Sequence, residues 1–434
     1  MSDNGMSAVV TLGAGPAGLG FSSHFNHRTD IYEKEASWGG RCRSHLTDGF
    51  TFDEGPHSSF TRDGYVRELF DRSVAGRLNE ILPRILNRYG PHWLRHPVQT
   101  NLKGLPVDFV IDCIVDFVKA GQAGPGSPDN YGQWLMEGFG EKFARAFPYA
   151  YTRKYWTVEP EQMTTEWIEE RIYRPSLPEV LKGALSGESA HKHYISSIRY
   201  PRQGGFQSFL KGLQEGARAF YGFALTGLDV QKKKLTFQNG YERHYETLVS
   251  TIPLPRLVRC LRDCPPAIRE AADCLDCTSA VLVNLGIKRE NLAHCHWFYL
   301  YDGETLPCRV HFPSMYSRFN SPAGTGSIQA EVYYSRYRPL NMSPENVLEK
   351  TVRDLTSIGV VAGDDNIILA ACQDIKYANV LYHRRHAAGR QTVLNWLEKH
   401  RIYCIGRYGE WAYLWSDQSI LSGKRLAGRL EKMS

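Results

Sequence analysis

The sequence predicts an α/β fold: a Rossmann-like dinucleotide-binding domain, interrupted by a mainly helical insertion and by a second domain built on an antiparallel sheet. Three observations predict it. A β-branched run at residues 8–10 leads into residues 11–20 (TLGAGPAGLG), where Gly13, Gly15 and Gly18 have G-x-G-x-x-G spacing. An apolar strand at 402–405, Gly406-Arg407 and an amphipathic helix close the sequence. Between them, residues 279–334 hold several alternating or β-rich stretches.

Length and composition set the bounds. The 434 residues suffice for two or three domains with sizeable cores. A hydrophobic fraction of 42% and a charged fraction of 23% are those of a soluble globular protein. The net charge of +6 is mild and no dense Lys/Arg run occurs, which argues against nucleic acid as a partner. Residues 1–10 lack a basic stretch followed by a long apolar core. Residues 107–120 are too short to span a bilayer and contain Asp112 and Asp116. A cytoplasmic protein without an integral membrane segment is expected. The ten cysteines include one C-x-x-C, Cys274 and Cys277, without a second ligand pair. Buried or structural thiols and no metal site are expected.

Each element follows from local chemistry. Residues 9–20 read as strand, tight turn and helix, with Gly13 permitting the turn. Gly15, Pro16 and Ala17 lie where backbone meets a pyrophosphate, and Gly18 allows close strand–helix contact. The turn by itself suits NAD or FAD. A second strand at 30–32 ends on Glu33 and Lys34, where an acid can hold a ribose hydroxyl. Gly39, Gly40 and Arg41 then give pliable backbone and a fixed positive charge beside phosphate. Residues 50–57 form an alternating strand and a Gly55-Pro56 turn that presents His57 at a strand end. Helical spacing dominates at 65–79, 107–120, 131–147 and 165–173, with Asn130 as an N-cap. Residues 121–130 and 186–193 read as loops. Strands are expected at 228–230, 234–238, 246–251, 279–285, 296–301, 308–312 and 327–334, and a helix at 347–355. Ser416 is the expected N-cap of the last helix, whose first turn carries Asp417 and Gln418. The expected domains are 1–62, 196–256 and 370–434 for the dinucleotide, 63–195 for the helical insertion and 257–369 for the substrate sheet.

Glu33 and the Gly-Gly-Arg after TLGAGPAGLG resemble the FAD oxidoreductases of the amine oxidase, protoporphyrinogen oxidase and UDP-galactopyranose mutase superfamily. The resemblance implies FAD bound by the residues above and by Gly406, Arg407, Asp417 and Gln418. It also places backbone at Val230 near adenine and His57 against the flavin. The last helix would point its N-terminus at the flavin's pyrimidine edge, stabilising negative charge there.

Further stretches resemble the mutases in particular. Residues 151–156 (YTRKYW) are similar to their Tyr-Thr-x-Lys-x-Trp segment, which puts Trp156 near the substrate. Arg171, expected on a helix, and Arg309 resemble their two opposed diphosphate arginines; Tyr377 resembles a tyrosine that approaches the phosphates. Arg407, Glu410 and Tyr413 match the Gly-Arg-x-x-Glu-x-x-Tyr spacing. Two arginines would clamp a diphosphate bidentately. The implied activity is pyranose–furanose interconversion of a nucleotide sugar, with N5 of reduced FAD as nucleophile, His57 and Arg407 beside it, and an external reductant. Other readings remain open. Arg171 lies beside Glu169 and Glu170, which suits a surface ion pair, and Arg309 could pair with an internal acid. Trp415 replaces the mutases' Asp, and Ser58-Ser59-Phe60 departs from their usual run. An oxygen-using oxidase of the amine or porphyrinogen type and a homodimeric assembly are therefore also left open.

Overall fold

The computed structural model describes residues 7–122, 126–169, 171–187 and 195–433. A five-stranded parallel sheet runs in the order Ile402–Cys404, Thr247–Ser250, Val9–Leu12, Thr29–Glu33 and Ala219–Tyr221. Strands from both ends of the chain are thus neighbours of the central Val9–Leu12. Helix Pro16–His24 follows that strand and packs against helix Ser416–Glu431 through their small residues. A Cβ on Gly423 would come within 2.3 Å of the Ala17 carbonyl oxygen, so the two backbones touch.

The second sheet has seven strands, ordered Ile367–Ile375, Ser279–Ile287, Gly326–Tyr334, Arg309–His311, Trp297–Leu300, Ile85–Tyr89 and His92–Arg95. All pairings are antiparallel except Ile85–Tyr89 against Trp297–Leu300. Apolar side chains from one face, with helix Pro344–Ser357, form a separate core around Val283, Val310 and Ile328.

Several elements differ from expectation. Residues 63–195 contribute strands as well as helices: Ile85–Tyr89 and His92–Arg95 complete the free edge of Trp297–Leu300, and Leu78–Ile81 pairs with Ile198–Pro201. Strand Ile367–Ile375 runs across the division expected at 369/370, since its partner is Ser279–Ile287. The helix expected over 65–79 spans Gly64–Ser73, where Asp63 caps Val66 N–H, and ends before Gly76. Residues 131–147 are divided at Gly140 into helices Tyr131–Phe139 and Glu141–Ala144. Asn130 does accept from Gln133 N–H as an N-cap. Residues 165–169 and 171–173 form turns and bends and not a helix: Glu169 has φ 40° and Arg171 N–H bonds to the Ile168 carbonyl. Trp415, not Ser416, is the N-cap of the last helix, and Gln418 Oε1 accepts the Trp415 N–H at 2.9 Å. Of the connection expected over 186–193, residues 188–193 lie outside the described residues, as does Glu170. Among the described residues, no helix is long and apolar enough to cross a membrane.

Candidate functional site

A cleft of about 730 Å3 opens along the C-terminal ends of the parallel strands and extends to the antiparallel sheet. This is where parallel strands leave room for a dinucleotide. Its first end is made by backbone. Gly13, at φ 98°, turns the chain back from Val9–Leu12, and a Cβ on Gly18 would sit 2.0 Å from the Gly13 carbonyl oxygen. Gly15 and Gly40 approach so closely that a Cβ on Gly40 would lie 2.9 Å from the Gly15 Cα. Helix Pro16–His24 has no side-chain cap and no acid in its first turn. Its N-terminal dipole and amides are left for an anion, the donor set a pyrophosphate takes. Glu33 accepts from Ala14 N–H at 2.8 Å and from Glu35 N–H at 3.0 Å, fixing its carboxylate at the strand end. The residues present therefore fit a dinucleotide.

Behind the turn, the side chain of Glu54 is almost fully buried and gathers Arg41 at 2.9 Å, Arg43 at 2.7 Å and His45 at 3.0 Å. Burial raises its pKa, but these three partners together bring it down to about 2. The cluster braces the Gly40 turn. His57 Nδ1 lies 2.9 Å from the Gly55 carbonyl oxygen, which can only accept, so Nδ1 carries the proton and Nε2 is left as an acceptor. Burial pushes the His57 imidazole below its ordinary value, partly opposed by Asp53. Asp53 itself is held by the Ser44 and Tyr200 hydroxyls at 2.5 and 2.7 Å.

The other end of the cleft is lined by phenols and two guanidinium groups. Tyr155, Tyr299, Tyr316, Tyr333 and Tyr413 contribute rings and hydroxyls. Tyr155 and Tyr413 hydroxyls lie 3.1 Å apart. Arg309 donates to both oxygens of Glu331, at 2.6 and 2.8 Å, and Tyr333 O–H donates to the same carboxylate at 2.5 Å. Burial disfavours the Arg309 cation, but the Glu331 charge outweighs it and holds its pKa well above the ordinary value. Arg407 donates to the carbonyls of Leu414 and Ala378 and to Asn379 Oδ1, at 3.0, 3.2 and 2.9 Å. Its Nε is buried without a partner.

The cleft brings together most of the expected residues. Gly13, Gly15, Pro16, Ala17, Glu33, Lys34, Gly40, Arg41, Gly55, Pro56 and His57 line its first half. Arg309, Tyr377, Gly406, Arg407, Tyr413 and Asp417 line the remainder. Five others do not line it. Gly18 lies behind the turn, and Gln418 is used as the cap of the last helix. Val230 follows strand Leu225–Asp229, which runs away from the cleft; Phe223, Ala224 and Leu225 line it instead. Five residues of extended chain separate Val230 from Leu225 by roughly 16 Å. Trp156 is 3% exposed, with its ring 5.4 Å from that of Tyr413, so it is a wall behind the lining. Arg171 is spent on structure: it donates to Trp167 O at 2.8 Å, to Glu169 at 2.7 Å and to Tyr413 O at 2.8 Å. It also lies 4.8 Å from the ring centroids of both Tyr413 and Trp415. Both arginines expected to clamp a diphosphate thus have partners inside the protein.

Sequence reasoning missed Arg256, Arg259 and Asn379. Arg256 and Arg259 sit one turn apart on helix Leu254–Arg259 and line the mouth of the cleft, with Arg259 donating to the Tyr377 hydroxyl at 3.1 Å. Their i, i+3 spacing directly after the 247–253 strand end was the available signal.

A parallel sheet with an uncapped glycine-rich turn, facing a phenol-lined chamber on an antiparallel sheet, defines a dinucleotide-binding protein with a second chamber beside the dinucleotide site. The sequence profile of flavin containing amine oxidoreductases matches residues 159–430, and that of an NAD(P)-binding Rossmann-like domain matches residues 11–73. The chain belongs to the flavin containing amine oxidoreductase family. A flavin cofactor and an enzyme follow from that membership. Among solved structures, the chain is similar to reduced UDP-galactopyranose mutase: TM-score 0.93, 25% identity, covering 98% of this chain and 94% of the other. It also resembles a protein from Exiguobacterium sp. 255-15 assigned as a protoporphyrinogen oxidase, with TM-score 0.76, 16% identity and coverage of 99% and 100%. A third likeness is to wild-type putrescine oxidase bound to putrescine, with TM-score 0.67, 13% identity and 98% of both chains covered.

Proposed function

We propose that the protein is an FAD-dependent enzyme acting on a nucleotide-diphosphate sugar, interconverting its pyranose and furanose rings. The observation that carries this reading is the chamber itself: phenol hydroxyls and two guanidinium groups face the same cleft as the dinucleotide turn. Phenols donate and accept, which suits a polyhydroxylated sugar, while guanidinium suits phosphate. The 25% identity to UDP-galactopyranose mutase over nearly the whole chain supports it. Reduced FAD supplies a ring nitrogen, N5, as nucleophile toward the sugar. The chain's own residues bind and orient: Gly13, Gly15 and Gly40 admit the pyrophosphate, Glu33 holds the ribose, and the phenols hold the sugar. Tyr413, Trp415 and Phe60 add apolar rings to the lining, Phe60 and Trp415 4.8 Å apart, and would keep water from a bound sugar. Location in the cytoplasm, an external reductant and a homodimer belong to the same proposal.

A second reading is an oxygen-using oxidase. The pairing of Arg309 with Glu331 and of Arg171 with Glu169 favours it, since neither is open to a diphosphate. Turnover decides. Dithionite-reduced enzyme should interconvert the ring forms of a nucleotide-linked hexose with no net redox change. Oxygen uptake and peroxide release with an amine or a porphyrinogen, and no ring interconversion, would establish the oxidase instead.

A further inference from the structure

The seven-stranded sheet ends in two edges of opposite character. His92–Arg95 is four residues long, carries His92 and Arg95, and leaves Trp93 41% exposed. Short length and charge are the usual means by which an edge strand avoids pairing with another chain. Ile367–Ile375 has neither. It runs nine residues, roughly 30 Å, and its only charged residue is Asp374, whose carboxylate accepts from the Tyr334 hydroxyl at 2.6 Å. It contains no lysine or proline, and its one register irregularity lies at its start, opposite Gly286 and Ile287. The outer strands of the parallel sheet offer far less, since Ile402–Cys404 and Ala219–Tyr221 have three residues each.

Both faces of Ile367–Ile375 are covered while its edge is not. Leu369 packs with Phe50 and Phe52 of strand Phe50–Asp53, and Gln373 Nε2 lies 3.2 Å from His45 Nε2 of the neighbouring Ser44–Thr47. On the opposite face Cys372 packs into the core that holds Val347 of helix Pro344–Ser357. Yet Ile368, Ala370, Ala371 and Asp374 are exposed, and among the described residues only Ser279–Ile287 pairs with the strand. Pairing on one side uses half of a strand's backbone N–H and C=O groups, so the other half points outward along the bare edge.

We infer that the protein dimerises through this edge: Ile367–Ile375 pairs antiparallel with the same strand of a second copy, about a two-fold axis beside Ala371. The inference takes the homodimer from the proposed function, gives it a surface, and is independent of the substrate. A two-fold interface sets each residue against its symmetric position in the strand. Ala370 then meets Cys372 and Ala371 meets itself, so small side chains lie at the centre. Asp374 meets Ile368, which keeps the two carboxylates apart. Beyond the strand ends, Lys376 of one copy opposes Asn366 of the other, beside the exposed Asp364. Neither Lys376 nor Asp364 forms a salt bridge within the chain among the described residues, whereas Asp365 is already taken by Arg289. The ends of the paired strands are therefore complementary in charge.

The test is sedimentation velocity of the FAD-loaded protein over a range of concentrations, where the parent should show a monomer–dimer equilibrium. Ala371→Lys and Ala371→Glu each set like charges across the axis, at a position open to water in the monomer. Each should raise the dimer dissociation constant roughly tenfold or more, with FAD content and melting temperature retained. An equimolar mixture of the two variants should recover dimer, because opposite charges then meet. Should either variant fail to fold, hydrogen–deuterium exchange of the parent decides. Amides of residues 367–375 should become more protected as concentration rises, and exchange independent of concentration overturns the interface. Dimers that withstand both substitutions, or variants that recover no dimer on mixing, overturn the edge pairing and leave the homodimer standing. A parent that is monomeric throughout overturns both the interface and the homodimer, and the nucleotide-sugar chemistry is then judged by turnover alone.

Discussion

Arg309 and Arg407 lie in one cleft and carry the same charge, yet one has a carboxylate and the other an amide. The sheet dictates the first arrangement. Arg309 and Glu331 are directly opposed in register on neighbouring antiparallel strands, so their side chains meet on the same face. Arg407 follows the parallel strand Ile402–Cys404 and reaches across to a loop, where it meets backbone carbonyls, Asn379 and the rings of Tyr408 and Tyr413. A cation fixed by strand register is part of the scaffold. A cation held by loop carbonyls carries no opposing carboxylate.

The contrast can be broken at several points. The largest effect is expected from Glu331→Ala, which leaves Arg309 buried and uncompensated and also removes the partner of Tyr333. A loss of roughly 3–5 kcal/mol in a denaturant titration is expected. A loss below about 1 kcal/mol would show that Arg309 is hydrated and the pair dispensable.

Glu54 provides a second paired case, read by pH. Its folded pKa, about 2, lies below the ordinary value of 4.5. The proton therefore binds the unfolded chain more tightly, and the stabilisation is complete above pH 4.5 and disappears as pH falls toward 2. The shift corresponds to about 3 kcal/mol. Glu54→Gln should be less stable at neutral pH and show a shallower decline on acidification, measured by melting temperature from pH 7 to pH 3. Parallel profiles for the two proteins would refute the assignment.

Arg171→Met removes charge-assisted bonds to the Trp167 and Tyr413 carbonyls but keeps an apolar side chain against Tyr413 and Trp415. A destabilisation of about 1.5–3 kcal/mol is expected, with FAD content retained and UDP affinity reduced only as far as the 413–415 loop loosens. Loss of UDP binding with unchanged stability would restore Arg171 to the substrate. The smallest effect belongs to Lys34→Ala. Its pair with Glu35 is 2.9 Å long but the lysine side chain is 63% exposed, so the change should stay within about 1 kcal/mol.

The two ends of the cleft were not equally legible in the sequence. At the dinucleotide end, function requires the absence of side chains, and glycine spacing records that requirement directly. Gly13, Gly15, Gly18 and Gly40 could be read without a structure, and Gly406 with them once its position after a strand was seen. At the substrate end, function depends on which residues meet across the sheet. Glu331 is 22 residues from Arg309 in sequence, and nothing local says that they are opposed. Arg171 looked like a helical residue because its neighbours have helical spacing; the positive φ of Glu169 and the pull of Tyr413 O give a turn instead. Asn379, two residues after Tyr377, belongs to no motif, and its partners Thr278 and Arg407 are distant in sequence. Val230 shows the same limit: a strand could be located, but not which of its ends faced the cleft.

The touching backbones of helices Pro16–His24 and Ser416–Glu431 also bear on the order of assembly. The strand and turn at residues 9–18 leave the ribosome long before their neighbour at 402–404 and the helix that covers them exist. At roughly 5–20 residues per second, that interval is on the order of 20–80 s. Throughout it the first strand has no partner from the chain's last segment, and Gly20 and Ala17 face solvent where Ile420 and Gly423 will later lie. The dinucleotide pocket is therefore a late product of synthesis, completed by closure between segments 9–24 and 402–431.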